Sequence, residues 1–144
     1  MEDTLEVYKR PDEQEKRIEE ILGEECEKND NNFLKYCNYL KENISMPCIL
    51  TGIEDFPWEE KYILDGWDQE EYEELKKNYP SYTDEFELLV LSEPLSGGND
   101  IFIKAKRLSD KKIFELELSW LECTDSESKN FQLLDDFSVW QVNY

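Results

Sequence analysis

Between residues 54 and 68 the chain sets six carboxylates, Glu54, Asp55, Glu59, Glu60, Asp65 and Asp68, among Pro57, Gly66 and two tryptophans, Trp58 and Trp67. Oxygen donors at this density suit a hard cation such as calcium, which takes roughly six to eight oxygens from carboxylates, carbonyls and water. Proline and glycine turn the backbone, so such a loop can aim several carboxylates inward where a straight helix cannot. Crowded anions also repel one another, and a bound cation relieves that repulsion, most strongly at low salt. The expected ion is therefore Ca2+, with Glu54, Asp55, Glu59, Glu60, Asp65 and Asp68 as candidate ligands and Asp84 as a further donor downstream. The competing reading is a solvated acidic face, which is what most charge runs are.

Other chemistries find less support. An EF-hand requires a D-x-[DN]-x-[DN]-G run, and Asp30-Asn31-Asn32 lacks the glycine and the distal glutamate. Asp135 and Asp136 offer oxygens to a cation, but adjacent helix positions point about 100° apart, so solvation or a salt bridge to Lys or Arg is expected for at least one of them. There is no histidine, no G-x-S-x-G elbow, no phosphate loop and no G-x-G-x-x-G, so the chain is not expected to be an enzyme. Carboxylate pairs for a glycosidase-like cleft are present in composition only. The four cysteines, Cys26, Cys37, Cys48 and Cys123, are too widely spaced for a C-x-x-C pair and are expected reduced and buried.

The charge names a class of partner. A formal net charge of −20 on 144 residues accompanies 13% aromatic residues, and disordered acidic chains are usually poor in aromatics. A folded domain with a strongly negative surface follows, and its partner is something positive: a metal ion or a basic macromolecular face. With 36% charged residues and a pI near 4.2, phosphate-neutralising nucleic-acid binding is excluded and an anionic membrane surface is disfavoured. The amino end lacks the basic start and apolar run of a secretory signal, and no stretch reaches the roughly 20 apolar residues of a membrane span. A soluble cytoplasmic protein is the expectation. If the partner is a basic protein, as for an immunity protein or a nucleic-acid mimic, Trp58 and Trp67 are the candidate partner-binding anchors; packing is the alternative for both.

The elements that must position these residues read from periodicity. Residues 1–12 are polar and expected as a flexible arm. Ile18, Ile21, Leu22 and Cys26 recur at helical spacing from about residue 13, and Asn29 to Asn32 break that helix and cap the next. Phe33, Tyr36, Cys37, Leu40 and Ile44 make a better amphipathic helix, closed by Pro47. Residues 48–53 read as a short strand ending at Gly52. Asp68 and Glu71 form a capping-box pattern for a helix over 69–79, which Pro80 ends. Alternation at Phe86, Leu88 and Val90, at Ile101, Ile103 and Ala105, and at Phe114, Leu116, Leu118 and Trp120 predicts three hairpin-linked strands. Leu133, Phe137, Trp140 and Tyr144 predict a closing helix. The sum is one α+β domain over 13–144, a small bent antiparallel sheet or SH3-like barrel of about four to five strands. N-terminal helices, a C-terminal helix and an acidic insertion at about 54–82 complete it.

Two stretches carry a resemblance. Tyr39-Leu40-Lys41-Glu42-Asn43-Ile44-Ser45-Met46-Pro47-Cys48 and Asn130-Phe131-Gln132-Leu133-Leu134-Asp135-Asp136-Phe137-Ser138-Val139-Trp140 look like the cyanobacterial calcium-binding protein family of small acidic bacterial proteins. The likeness covers most of the chain from about Lys16, interrupted by a segment from about Trp58 to Tyr82 that looks like an insertion relative to shorter members. It implies calcium binding through surface carboxylates outside any EF-hand.

Overall fold

The computed structural model describes residues 13–144; the arm expected over 1–12 lies outside them. Helix α1 (13–22) buries Ile18 and Leu22 and stops at Gly23. Gly23 takes φ +94°, a left-handed conformation that favours glycine, and its N–H closes on the Glu19 carbonyl at 2.7 Å. Cys26 is buried beyond this helix end rather than on its face. Helix α2 (Asp30–Asn43) starts where the asparagine run predicts. The Asn29 side chain accepts from the Asn32 N–H at 2.8 Å, and Asn32 donates back to the Glu25 and Glu27 carbonyls.

Five antiparallel strands follow: β1 (Ile49–Gly52), β2 (Glu85–Leu91), β3 (Phe102–Arg107), β4 (Ile113–Glu117) and β5 (Leu121–Cys123), in the order β4-β3-β2-β1-β5. The ladder is open, with β4 and β5 as its edges. The strand expected to run from Phe114 through Trp120 breaks at Leu118 into a 3-10 turn, Leu118–Trp120. The reason is a set of bonds to a distant segment. The Leu118 N–H is spent on the Ile101 carbonyl, and the Ser119 N–H and hydroxyl both bond the buried Asp100 carboxylate. The turn lifts the chain off β3 and lets β5 add to β1 as the opposite edge strand, where Leu50 faces Cys123.

Helix α5 (Lys129–Asn143), capped by the Ser128 hydroxyl, lies against β5 and the 3-10 turn. Its Phe137 and Trp140 meet Tyr36 of α2 at ring distances of 5.2 Å each, and the Trp140 indole donates to the Cys26 carbonyl. Side chains of this size, fully buried, each hold about 3–5 kcal/mol against truncation. Arg17 clamps α1 onto α5 through both oxygens of the buried Asp136. The four cysteines are free and buried. Among the described residues no helix is long and apolar enough to cross a membrane.

Candidate functional site

The acidic segment leaves the sheet at the end of β1 and returns at the start of β2. It holds a 3-10 turn (Pro57–Glu59), α3 (Glu60–Leu64) and α4 (Gln69–Leu75). The helix expected over 69–79 ends four residues early, and the chain continues through turns to Pro80. The segment is pinned at its root. The Gly52 N–H and the Thr51 hydroxyl both bond the Tyr82 carbonyl, at 3.0 and 3.1 Å. A Cβ on Gly52 would stand 2.6 Å from Tyr82 Cα. Only glycine allows the two chains so close.

Glu59 organises the interior of the segment. It is wholly buried. Its Oε2 accepts the Phe56 and Tyr82 N–H groups, each at 3.0 Å. Its Oε1 accepts the Tyr72 hydroxyl at 2.9 Å and the Ser81 hydroxyl at 2.5 Å. Four protein donors satisfy this acceptor-only group, leaving no oxygen to offer an ion. Burial, then the bond to Glu59, pushes the Tyr72 phenol well above the usual tyrosine range.

Asp84 is likewise engaged. Its Oδ2 accepts the Ser81 N–H at 2.9 Å and the Arg107 guanidinium at 3.0 Å. Arg107, buried on β3, also donates to the carbonyls of Lys76, Lys77 and Tyr79 and makes a two-pronged pair with Asp110. It thus ties the end of α4 to the sheet. The guanidinium holds the Asp110 carboxyl down at about 2. Periodicity does place Arg107 on the inward side of β3, in step with Ile103 and Ala105, but a charged residue at that position reads as surface until its partners are known.

Asp68 caps α4, accepting the Glu71 N–H at 3.1 Å as its capping box predicts. Asp65 is exposed at the end of α3, before Gly66 in a left-handed turn with φ +64°. Trp58 is half-buried, its indole N–H held by the Pro80 carbonyl at 2.7 Å, whereas Trp67 is 56% exposed.

The remaining expected ligands, Glu54, Asp55 and Glu60, line one groove of about 440 Å³ between the start of the segment and α5. Asp135, on α5, joins them there, with Ser119 and Ser138. The wall includes Ile53, Pro57, Trp120 and Val142. Asp136, the next residue, turns away to Arg17, as the angle between neighbouring helix positions demands. The groove's oxygens suit a hard cation in kind. They do not suit one in arrangement: among the described residues no group of three or more His, Cys, Asp or Glu side chains is placed to hold a metal ion.

No family model and no curated protein matches the chain. The fold is similar to the crystal structure of Anabaena CcbP, a cyanobacterial calcium-binding protein, with a TM-score of 0.59 at 14% sequence identity. The match covers 90% of this chain and 89% of that one.

Proposed function

We propose that this protein binds calcium ions through surface carboxylates, as a low-affinity buffer or sensor, and catalyses no reaction. The observation that carries the reading is the gathering of Glu54, Asp55, Glu60 and Asp135 around one groove, on a fold also used by a calcium-binding protein. The net charge of −20 adds a long-range attraction for divalent cations that salt weakens. Glu59 stands outside the binding set because both its oxygens already serve protein donors, and Asp84 because its Oδ2 is held by the Ser81 N–H and Arg107. Asp65 and Asp68 belong to the other end of the segment. The groove carboxylates have to be drawn together against their own repulsion before they enclose an ion, so the affinity is on the order of 10⁻⁴ M or weaker.

Calorimetric calcium titration of the chelator-stripped protein, at physiological salt with magnesium present, tests the reading. Saturable heat at one or two ions per chain that disappears in the combined Glu54→Gln, Asp55→Asn, Glu60→Gln variant supports it. Unchanged binding in that variant would move the site elsewhere, and non-stoichiometric, salt-sensitive heat would remove the site altogether.

A second reading rests on the apolar residues of the same groove. Ile53 and Val142 are 47% and 71% exposed beside the carboxylates, a combination that would seat a lysine- or arginine-rich protein segment with an apolar anchor. Capture of a basic partner that is lost on adding salt, and lost again in Ile53→Ser with Val142→Ser, distinguishes it from calcium binding.

A further inference from the structure

Trp58, Tyr62, Leu75, Tyr79 and Lys61 line a second pocket, of about 230 Å³, within the 54–82 segment. Its walls are rings set at steep angles. Trp58 meets Tyr62 at 6.2 Å and 66°, and Tyr79 at 5.7 Å and 45°. These walls are held from behind. Trp58 is fixed through its indole N–H to Pro80. Tyr62 lies flat on Tyr72 at 5.2 Å and 8°, and Tyr72 is anchored by Glu59. Tyr79 is 52% exposed and leaves the mouth open.

Aromatic faces carry the negative end of the ring quadrupole and attract cations. The chain's own ammonium groups already respond to these rings. Lys61 Nζ sits 5.1 Å from the Tyr62 centroid and 5.4 Å from that of Trp67, and Lys76 Nζ sits 4.2 Å above Tyr72. The surrounding net charge of −20 concentrates cations near the surface. The lining itself offers no carboxylate, and the Trp58 N–H is spent. A primary ammonium is a compact, strongly hydrated charge that needs acceptors for three N–H groups. A quaternary ammonium has no N–H, is weakly hydrated, and presents methyl groups that pack on ring faces. We propose that this pocket binds the quaternary ammonium head of an organic cation, with Trp58 and Tyr79 as its walls, the buried Tyr62 as its floor and Lys61 as a like charge at its rim.

The test is an NMR titration of the full chain in chelator-containing buffer, so that its result is independent of calcium. Choline is the probe, and 3,3-dimethylbutan-1-ol, its uncharged isostere, is the control. The expected result is a saturable shift of the Trp58 indole N–H with choline, and about fivefold or more weaker binding of the isostere. Tyr79→Ala weakens choline binding by a similar factor, and Lys61→Gln tightens it by removing the competing charge. Equal binding of choline and the isostere, no saturable Trp58 shift, or choline affinity unchanged in Lys61→Gln would overturn the proposal. Lys61 is exposed, so that variant decides the matter even if Tyr79→Ala disturbs the fold.

Discussion

The Tyr72 hydroxyl donates to Glu59 Oε1 at 2.9 Å, so the buried carboxylate of the acidic segment is the group that closes the segment on itself. An isolated charge in this position would be costly; four donors make it a structural keystone. The six acids of the loop therefore divide by role. Glu59 folds the segment, Asp68 caps a helix and Asp65 stands exposed at the end of α3, while Glu54, Asp55 and Glu60 remain at a groove and can meet something from solution.

Glu59→Gln should destabilise the protein by about 2–4 kcal/mol, because an amide offers one acceptor oxygen and turns its own N–H groups toward at least one buried donor. Urea unfolding measures this through the midpoint. Calcium binding should persist below the unfolding transition. A loss under 0.5 kcal/mol, within the range of about 0.5 kcal/mol typical of surface substitutions, would mean that the four bonds do not hold the segment.

Arg107→Lys should lower stability by about 2 kcal/mol, since an ammonium cannot reproduce a planar fork that serves Asp84, Asp110 and three carbonyls together. The linked pH effect has a definite sign. The Asp110 carboxyl is held at about 2 in the folded chain, below the roughly 3.9 of an unfolded aspartate. Its contribution is present above the unfolded value and is lost as pH falls toward 2. An NMR carboxyl titration should find Asp110 returning toward the ordinary range in Arg107→Lys. An Asp110 titration unmoved by that change would show that Arg107 is not its cause.

The contrast between Arg107 and Asn29 explains what the sequence can reveal. Asn29, Asp68 and Gly23 act on their own neighbours within a turn, and local chemistry of that kind is written in residue order. The alternation that marks β3, and β2 as far as Leu88, is equally local. A bulge after Leu88 leaves the expected inward residue Val90 exposed and buries Leu91 instead. Arg107 reaches residues 76 to 84, and Glu59 reaches Tyr82, so their roles exist only once the sheet has brought distant segments together. The break at Leu118 has the same origin: alternation continues through Trp120, but Asp100, nineteen positions before Ser119, overrides it. For the candidate site, the acidic loop was legible as a source of oxygens. Which acids face inward, and that Asp135 joins the groove, depended on the placement of α5.

Gly52→Ala tests the root of the segment. The added methyl would stand 2.6 Å from both Cα and Cβ of Tyr82, and the clash involves backbone that also receives the Gly52 N–H and Thr51 hydroxyl bonds. The chains must separate, with a loss of about 2 kcal/mol or more. Amide exchange should accelerate at Gly52 and through residues 80–84 before it does in β3. Uniform acceleration over the whole sheet would argue that the root and the sheet open as one unit.

Glu117→Gln makes the opposite prediction for stability. Asp100 and Glu117 are both pushed above the usual carboxyl range, Asp100 chiefly by burial and Glu117 by burial and then by the charge of Asp100. A carboxyl raised in the folded state favours folding below its unfolded value, and that contribution is lost as pH rises through the folded value. At neutral pH, then, two neighbouring acids oppose each other at the junction where β4 passes into the 3-10 turn. Asp100 cannot be spared, because it holds Ser119 through its N–H and its hydroxyl. Glu117 is the partner to neutralise. Thermal unfolding of Glu117→Gln should show a higher midpoint than the parent at pH 7, with the gain shrinking toward pH 4 as the parent's own carboxyl takes up its proton. A gain independent of pH would trace the effect to packing, and a lower midpoint at pH 7 would mean that the Glu117 charge is being used by a partner on the β4 edge.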